Sequence, residues 1–240
     1  MRLSSSIICA LPALAAAQQQ IPFLNEAQEW FEKIRTKLPS PGSPLDAGAA
    51  KVADHVVVPL TMHNFWSVLS PKPDSSAKGP EEWWVFVTGG NKTCFGTCTH
   101  AETAWNESVA ILTATPNKPN LAVLNCETEP VLCNSMAAGP PSLWHLQLPV
   151  YEPNAQTPGP TTVRYLPVNR TTITASDFVT MHKDETWKNV EPYEGMMHPF
   201  DSILAKTGVN IPLGYFIWFF ALLPSWTMMI LISMGSRTFM

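Results

Sequence analysis

Apolar positions change their spacing along this chain, and each spacing predicts a different kind of element. Leu24, Ala27, Phe31, Ile34 and Leu38 recur at intervals of three and four, the stripe of an amphipathic helix. Glu26, Glu29 and Glu32 precede Lys33, Arg35 and Lys37, an order that suits the helix dipole. Trp30 widens the apolar side, which would pack on a domain, a membrane surface or a partner. Pro39, Pro41, Gly42, Pro44 and Gly48 then form a linker, so residues 18–51 stand apart from the rest of the chain.

From Val52 the pattern alternates between strand and helix. Val56-Val57-Val58 reads as a strand. Thr61 and Asn64 can cap a short helix through Phe65, Trp66 and Leu69. Trp83-Trp84-Val85-Phe86-Val87 is a continuous apolar run, as in a buried central strand. Ala101 to Leu112 reads as a helix, Leu121 to Leu124 as a strand, and Glu129 to Ala138 as a short helix. Ser142 to Leu148 and Val163 to Val168 read as strands, the second at an edge because of Pro167. Thr174, Ala175 and Ser176 open a helix running towards Trp187. The stretches 71–80 and 151–161 read as loops. Residues 52–189 are thus expected to form one α/β domain, with a juxtamembrane segment at 190–210.

Ile211 to Met234 carries no charge over 24 positions. As one helix it measures about 36 Å, enough to cross a hydrocarbon core of about 30 Å with some tilt. Pro224 near its middle is expected to kink it. The alternatives are a very apolar core helix or two re-entrant pieces around Pro224-Ser225, either half being too short to span. At the other end, Arg2, an apolar stretch from Ile7 to Ala16, and Ala15-Ala16-Ala17 before Gln18 form a secretory signal over residues 1–17. Signal plus span predicts a type I protein of the endoplasmic reticulum membrane, with its domain in the lumen and residues 235–240 as a cytosolic tail. Arg237 on that tail agrees with the positive-inside rule and Lys206 argues against it. Glycosylation triplets begin at Asn91, Asn106 and Asn169, in keeping with a lumenal location.

Composition narrows the function classes. Charged residues make up 14% of the chain, against about 25% in an ordinary soluble domain. Nine Trp and eleven Phe exclude a disordered chain. Most of the sequence lacks long apolar runs, which excludes a multi-span transporter. Fifteen Lys+Arg against nineteen Asp+Glu give a net charge of −4 and no basic stripe, so nucleic acid is not an expected partner. Gly89-Gly90 lacks a phosphate-loop pattern, and no cofactor is expected. The six His form no triad or zinc-peptidase pattern, and Glu81-Glu82 and Asp184-Glu185 read as solvated faces.

Signal removal takes Cys9 and leaves Cys94, Cys98, Cys126 and Cys133. An even count in an oxidising compartment favours pairing, and four Cys allow three connectivities. The sequence-local one is 94–98 with 126–133, the second pair reading as structural. A metal site from Cys94, Cys98 and His100 would lack a fourth ligand.

Taken in chain order, several motifs resemble the thioredoxin-like domains of the protein disulfide isomerase family. They are Pro59-Leu60-Thr61-Met62-His63-Asn64-Phe65, the strand Trp83–Val87, the spacing from Cys98 to Trp105, Asn125-Cys126-Glu127 through Cys133, and Gly139-Pro140-Pro141-Ser142-Leu143. The match covers about 90 residues from Thr61 to Leu148. The stretch Phe86 to Cys98 also resembles fungal single-span proteins with a lumenal thioredoxin-like domain. Some of those carry the name peptidyl-tRNA hydrolase, for which no residue here gives support. The resemblance implies a thioredoxin-like fold, a cis peptide before Pro141, and thiol-disulfide exchange or redox chaperoning of secretory and membrane clients. In that reading Cys94 attacks, Cys98 resolves, and Pro141 shapes the client groove. Exchange needs a thiolate at a helix N-terminus and a second thiol in reach. The family uses C-x-x-C, whereas this chain has Cys94-Phe95-Gly96-Thr97-Cys98, so alignment on Cys98 puts Phe95 at the nucleophile position. Thr103 replaces the family's helix Pro, and Val85 or Phe86 stands where it has a buried acid. A non-catalytic protein-binding scaffold with a structural 94–98 disulfide is the competing expectation.

Overall fold

The computed structural model describes residues 52–53, 55–70, 80–150 and 159–239. The signal at 1–17, the helix at 24–38, the linker and most of both loops lie outside the described residues. Strand β2 (Glu81–Thr88) is the centre of a five-stranded sheet. On one side it pairs in parallel with β3 (Asn120–Asn125), which pairs in parallel with β1 (Val58–Pro59). On the other side it pairs antiparallel with β4 (Ser142–Leu148), which pairs antiparallel with β5 (Thr162–Pro167). The order β1-β3-β2-β4-β5 needs crossovers, and helices supply them. They are α1 (Phe65–Val68) and α2 (Asn91–Cys94), α3 (Thr99–Thr113), and α4 (Pro130–Ser135). After β5 come α5 (Ala175–Lys183), a 3-10 turn (Thr186–Asn189) and α6 (Ile203–Lys206). The chain ends with α7 (Asn210–Leu222) and α8 (Ser225–Phe239).

The apolar run of β2 is explained by burial on both faces. Trp83, Val85 and Val87 join Phe65, Leu69, Leu132, Met136 and Trp144 in one core. Trp84 and Phe86 join Trp105, Val109, Leu112, Phe178 and Trp187 in the other. Alternate side chains of a strand point to opposite faces, so a strand between two helical layers is apolar at every position. The mixed α/β architecture expected from the sequence is observed.

Differences from the sequence-based expectation have local causes. The strand at Val56–Val58 is cut to Val58–Pro59, because Val57 N–H donates to Ala53 O (2.8 Å) and closes a turn. Pro59 brings no donor, which an edge strand tolerates. The helix from Thr174 is opened by a capping box, with Thr174 N–H donating to Asp177 Oδ2 (2.8 Å). It stops at Lys183, and Glu185 takes a left-handed φ of 50° before the 3-10 turn.

The stretch 211–234 is not one continuous helix but two, α7 and α8, broken at Pro224, where the sequence predicts a kink. Leu223 is extended at ψ 131°, as a residue before proline prefers, and Pro224 ends the helical ladder. The axes of α7 and α8 meet at a 103° bend, and among the described residues no single helix is long and apolar enough to cross a membrane.

Candidate functional site

The candidate site lies at the C-terminal end of β2. Thr88 ends the strand, and Gly89-Gly90 lead into α2. A Cβ on Gly89 would fall 2.0 Å from Thr93 Oγ1 and 3.3 Å from Pro140 Cγ, so glycine lets this loop sit against the Gly139–Pro141 loop. A Cβ on Gly90 would meet the Glu127 carboxylate at 2.0 Å, and Lys92 N–H donates to Glu127 Oε2 at 3.2 Å. The Pro140-Pro141 peptide is cis. Cys126 N–H donates to Thr88 O (2.8 Å), tying β3 to the same end. The structure thus gathers Cys94, Cys98, Cys126 and the Pro141 loop at one end of the sheet.

Cys94 closes α2, and Cys98 is the residue preceding α3. They are disulfide-bonded with Cα atoms 5.7 Å apart. Cys126 and Cys133 are bonded with Cα atoms 5.5 Å apart and lie inside the core between β3 and α4. The sequence-local pairing is therefore the one observed. The two Cys and the residue that follows Cys94 differ sharply in exposure. Cys94 is 3% and Cys98 1% exposed, whereas Phe95 is 82% exposed. The reversal comes from the backbone. Phe95 (φ 54°) and Gly96 (φ 72°) both adopt left-handed geometry, which turns the chain between the two Cys and lifts the phenyl ring out. Thr97 then ties the loop down, its N–H (3.0 Å) and Oγ1 (2.6 Å) both donating to Cys94 O. Arg170 Nη1 donates to Thr97 Oγ1 from the segment after β5 (3.4 Å).

Val85 and Phe86 of β2, where the related family has a buried acid, cannot accept a proton. Val85 is buried in one core, and Phe86 stacks on Trp105 at 5.2 Å in the other. Thr103 turns its hydroxyl back onto Thr99 O (3.0 Å). Among the described residues no group of His, Cys, Asp and Glu is arranged to hold a metal ion. Asn91 and Asn169 are exposed, and Asn169 Oδ1 accepts from Thr171 N–H and Oγ1. Asn106 is half-buried in the middle of α3, with Ser108 of its triplet buried.

A second cluster is not evident from the sequence, which gives Glu82 to a solvated face. Glu82 Oε1 accepts from Trp84 Nε1 (2.6 Å) and from His145 Nε2 (3.1 Å), with His182 Nδ1 at 3.5 Å. His145 stacks on Trp187 at 3.9 Å between centroids. Burial alone would raise the Glu82 carboxyl, but these hydrogen bonds outweigh it and hold the group well below the usual carboxylate range. Burial pushes His145 down, while the Glu82 hydrogen bond pushes His182 up. The signal was available in the period of two. Glu82, Trp84 and Phe86 share one face of β2, and that face is covered by α3 and α5. The cluster sits at the start of β2, away from the disulfide end.

The strand order, the helix after β2 that begins at a Cys, and the cis-Pro loop opposite it define a thioredoxin-like domain. The chain belongs to the family described as "tRNA hydrolases-like, Thioredoxin-like domain", whose match covers residues 43–220. No curated protein matches the chain. Solved structures similar to it include the J-Trx1 fragment of ERdj5, at 14% identity and a TM-score of 0.36, over 56% of this chain and 52% of that one. ERdj5 form I is similar at 13% identity and a TM-score of 0.35, over 57% of this chain and 15% of that one. The chain thus spans about half of the first of these relatives.

Proposed function

We propose that this protein is a thioredoxin-like binding module of the endoplasmic reticulum lumen, tethered to the membrane by its C-terminal apolar helices, with a structural Cys94–Cys98 bond. The observation that carries this reading is the exchange of exposure between Phe95 and Cys94. Thiol-disulfide exchange begins with attack on an accessible sulfur. Here an aromatic ring occupies the nucleophile position of the related family, and both sulfurs are covered. The ring offers apolar contact area at low conformational cost. Pro140 and Pro141 have no N–H, so at these two positions the loop offers a client carbonyl oxygens alone. The fitting client is an extended segment that supplies N–H donors and an apolar side chain.

The test uses the full chain in micelles. Its 94–98 pair should resist alkylation until reduced and denatured. Its potential should lie below about −300 mV, where structural disulfides fall. Phe95→Ala should weaken capture of extended apolar peptides about tenfold, read by fluorescence anisotropy, without shifting the unfolding midpoint. A potential of about −180 to −210 mV, with insulin-reducing activity lost in Cys94→Ser, would restore the exchange reading and refute this one.

A further inference from the structure

The helices α7 and α8 expose apolar side chains in a way that identifies what covers them. Tyr215, Phe216, Ile217, Trp218 and Phe219 are consecutive, and all are large and exposed. Five successive positions pass more than once round a helix of 3.6 residues per turn, so one partner face could not cover them. A helix apolar all round belongs in a protein interior or in lipid. On α8, Trp226, Met229, Ile230, Ile232 and Met234 are exposed as well. No charged residue occurs between Lys206 and Arg237.

The first turns of α7 are held differently. Asn210 and Gly214 are its buried residues, four apart and so on one face. That face lies against α4. A Cβ on Gly214 would fall 2.6 Å from Val131 O and 3.0 Å from Ser135 Cβ. Glycine therefore lets α7 start in direct backbone contact with the thioredoxin-like body.

Length and direction then decide the path. Thirteen residues make α7, about 20 Å, and fifteen make α8, about 22 Å. Neither crosses a core of about 30 Å. The 103° bend turns α8 past perpendicular to α7, so with α7 upright in the leaflet α8 turns back instead of continuing the descent. From these observations we infer that α7 and α8 enter a single leaflet as a re-entrant wedge and return the chain to the side of the thioredoxin-like body. The occupant of their exposed surface is the acyl region of that leaflet. Arg237, exposed near the end of α8, comes back to the headgroups beside the body. The inference rests on the membrane attachment proposed above and differs from a span in where it puts the C-terminus.

The experiment compares two full-length versions in cells. One carries a redox-sensing fluorescent protein after Met240, the other between Gln20 and Ile21. The wedge requires both reporters to show the same oxidation state, in a chain that stays with membranes after an alkaline carbonate wash. Opposite oxidation states in a membrane-retained chain would overturn the wedge and leave the attachment standing. Release of the chain into the wash would overturn the attachment, and the wedge with it.

Discussion

Glu82 is a carboxylate set among aromatic rings, and it dominates the titration of His182 beside it, whereas burial dominates that of His145. Both ring nitrogens of His182 face acceptors, Glu82 Oε1 and Asn117 O (3.0 Å). That arrangement favours the doubly protonated ring. His145 has one acceptor, and its Nδ1 is buried with no partner, which favours the neutral ring. The raised His182 value stabilises the fold below about pH 6.5, and this is lost as pH rises through the folded value. The lowered His145 value costs stability as pH falls below about 6.5, because the unfolded chain takes up that proton first. The lowered Glu82 value stabilises above about pH 4.5 and fades as pH falls through the folded value. NMR titration should therefore place His182 above and His145 below an ordinary histidine. In Glu82→Gln, His182 should fall back, and stability at neutral pH should drop by about 1–3 kcal/mol. Urea unfolding should show that this difference shrinks as the medium becomes acid. A difference that stays constant with pH would mean that the carboxylate's charge plays no part.

Elements tell how much of the fold could be read in advance. The sheet was legible because its strands carry their own apolar patterns. Trp83 to Val87 is apolar at every position, and Ser142 to Leu148 forms the expected strand. The disulfide end was legible because Cys98, Trp105, Cys126, Cys133 and Pro141 keep a familiar order. What could not be read is set by contacts between distant segments and by backbone geometry. Phe95 changes places with Cys94 because two successive residues are left-handed, and nothing in Phe95 itself requires that geometry. Gly214 looks like any glycine in an apolar run, yet it marks where α7 touches α4. Its role predicts a contrast with Gly235, around which a Cβ meets nothing within 4 Å. Gly214→Leu should cost about 1–3 kcal/mol through overpacking and speed amide exchange in α4. Gly235→Leu should do neither. Hydrogen exchange by mass spectrometry on the full chain in micelles reads both variants. Equal protection of α4 in the two would show that α7 does not bear on it.

At the scale of the whole molecule, two kinds of apolar surface are kept separate. The thioredoxin-like body buries its own on both sides of the sheet. One core forms around Trp83, Val85 and Trp144, the other around Trp84, Phe86 and Trp105. Two disulfides lie within the body, and each closes a short loop. Bridges over loops this short contribute about 2–3 kcal/mol each in the chain-entropy account. The helices α7 and α8 bury little beyond the Asn210–Gly214 face and leave their large side chains uncovered. Contiguous exposed apolar surface of this kind drives association in water. Folding of the body and solubility of the chain should therefore respond to different conditions. In detergent micelles the full chain should sediment as one species. On dilution below the critical micelle concentration it should form large assemblies while the near-ultraviolet circular dichroism of its buried Trp residues is unchanged. Adding a reductant in micelles should have the opposite effect, lowering the unfolding midpoint without changing the sedimenting species. If the near-ultraviolet signal disappears together with the micelles, the helices are part of the body's core, and the division between a self-sufficient domain and its lipid-covered wedge is wrong.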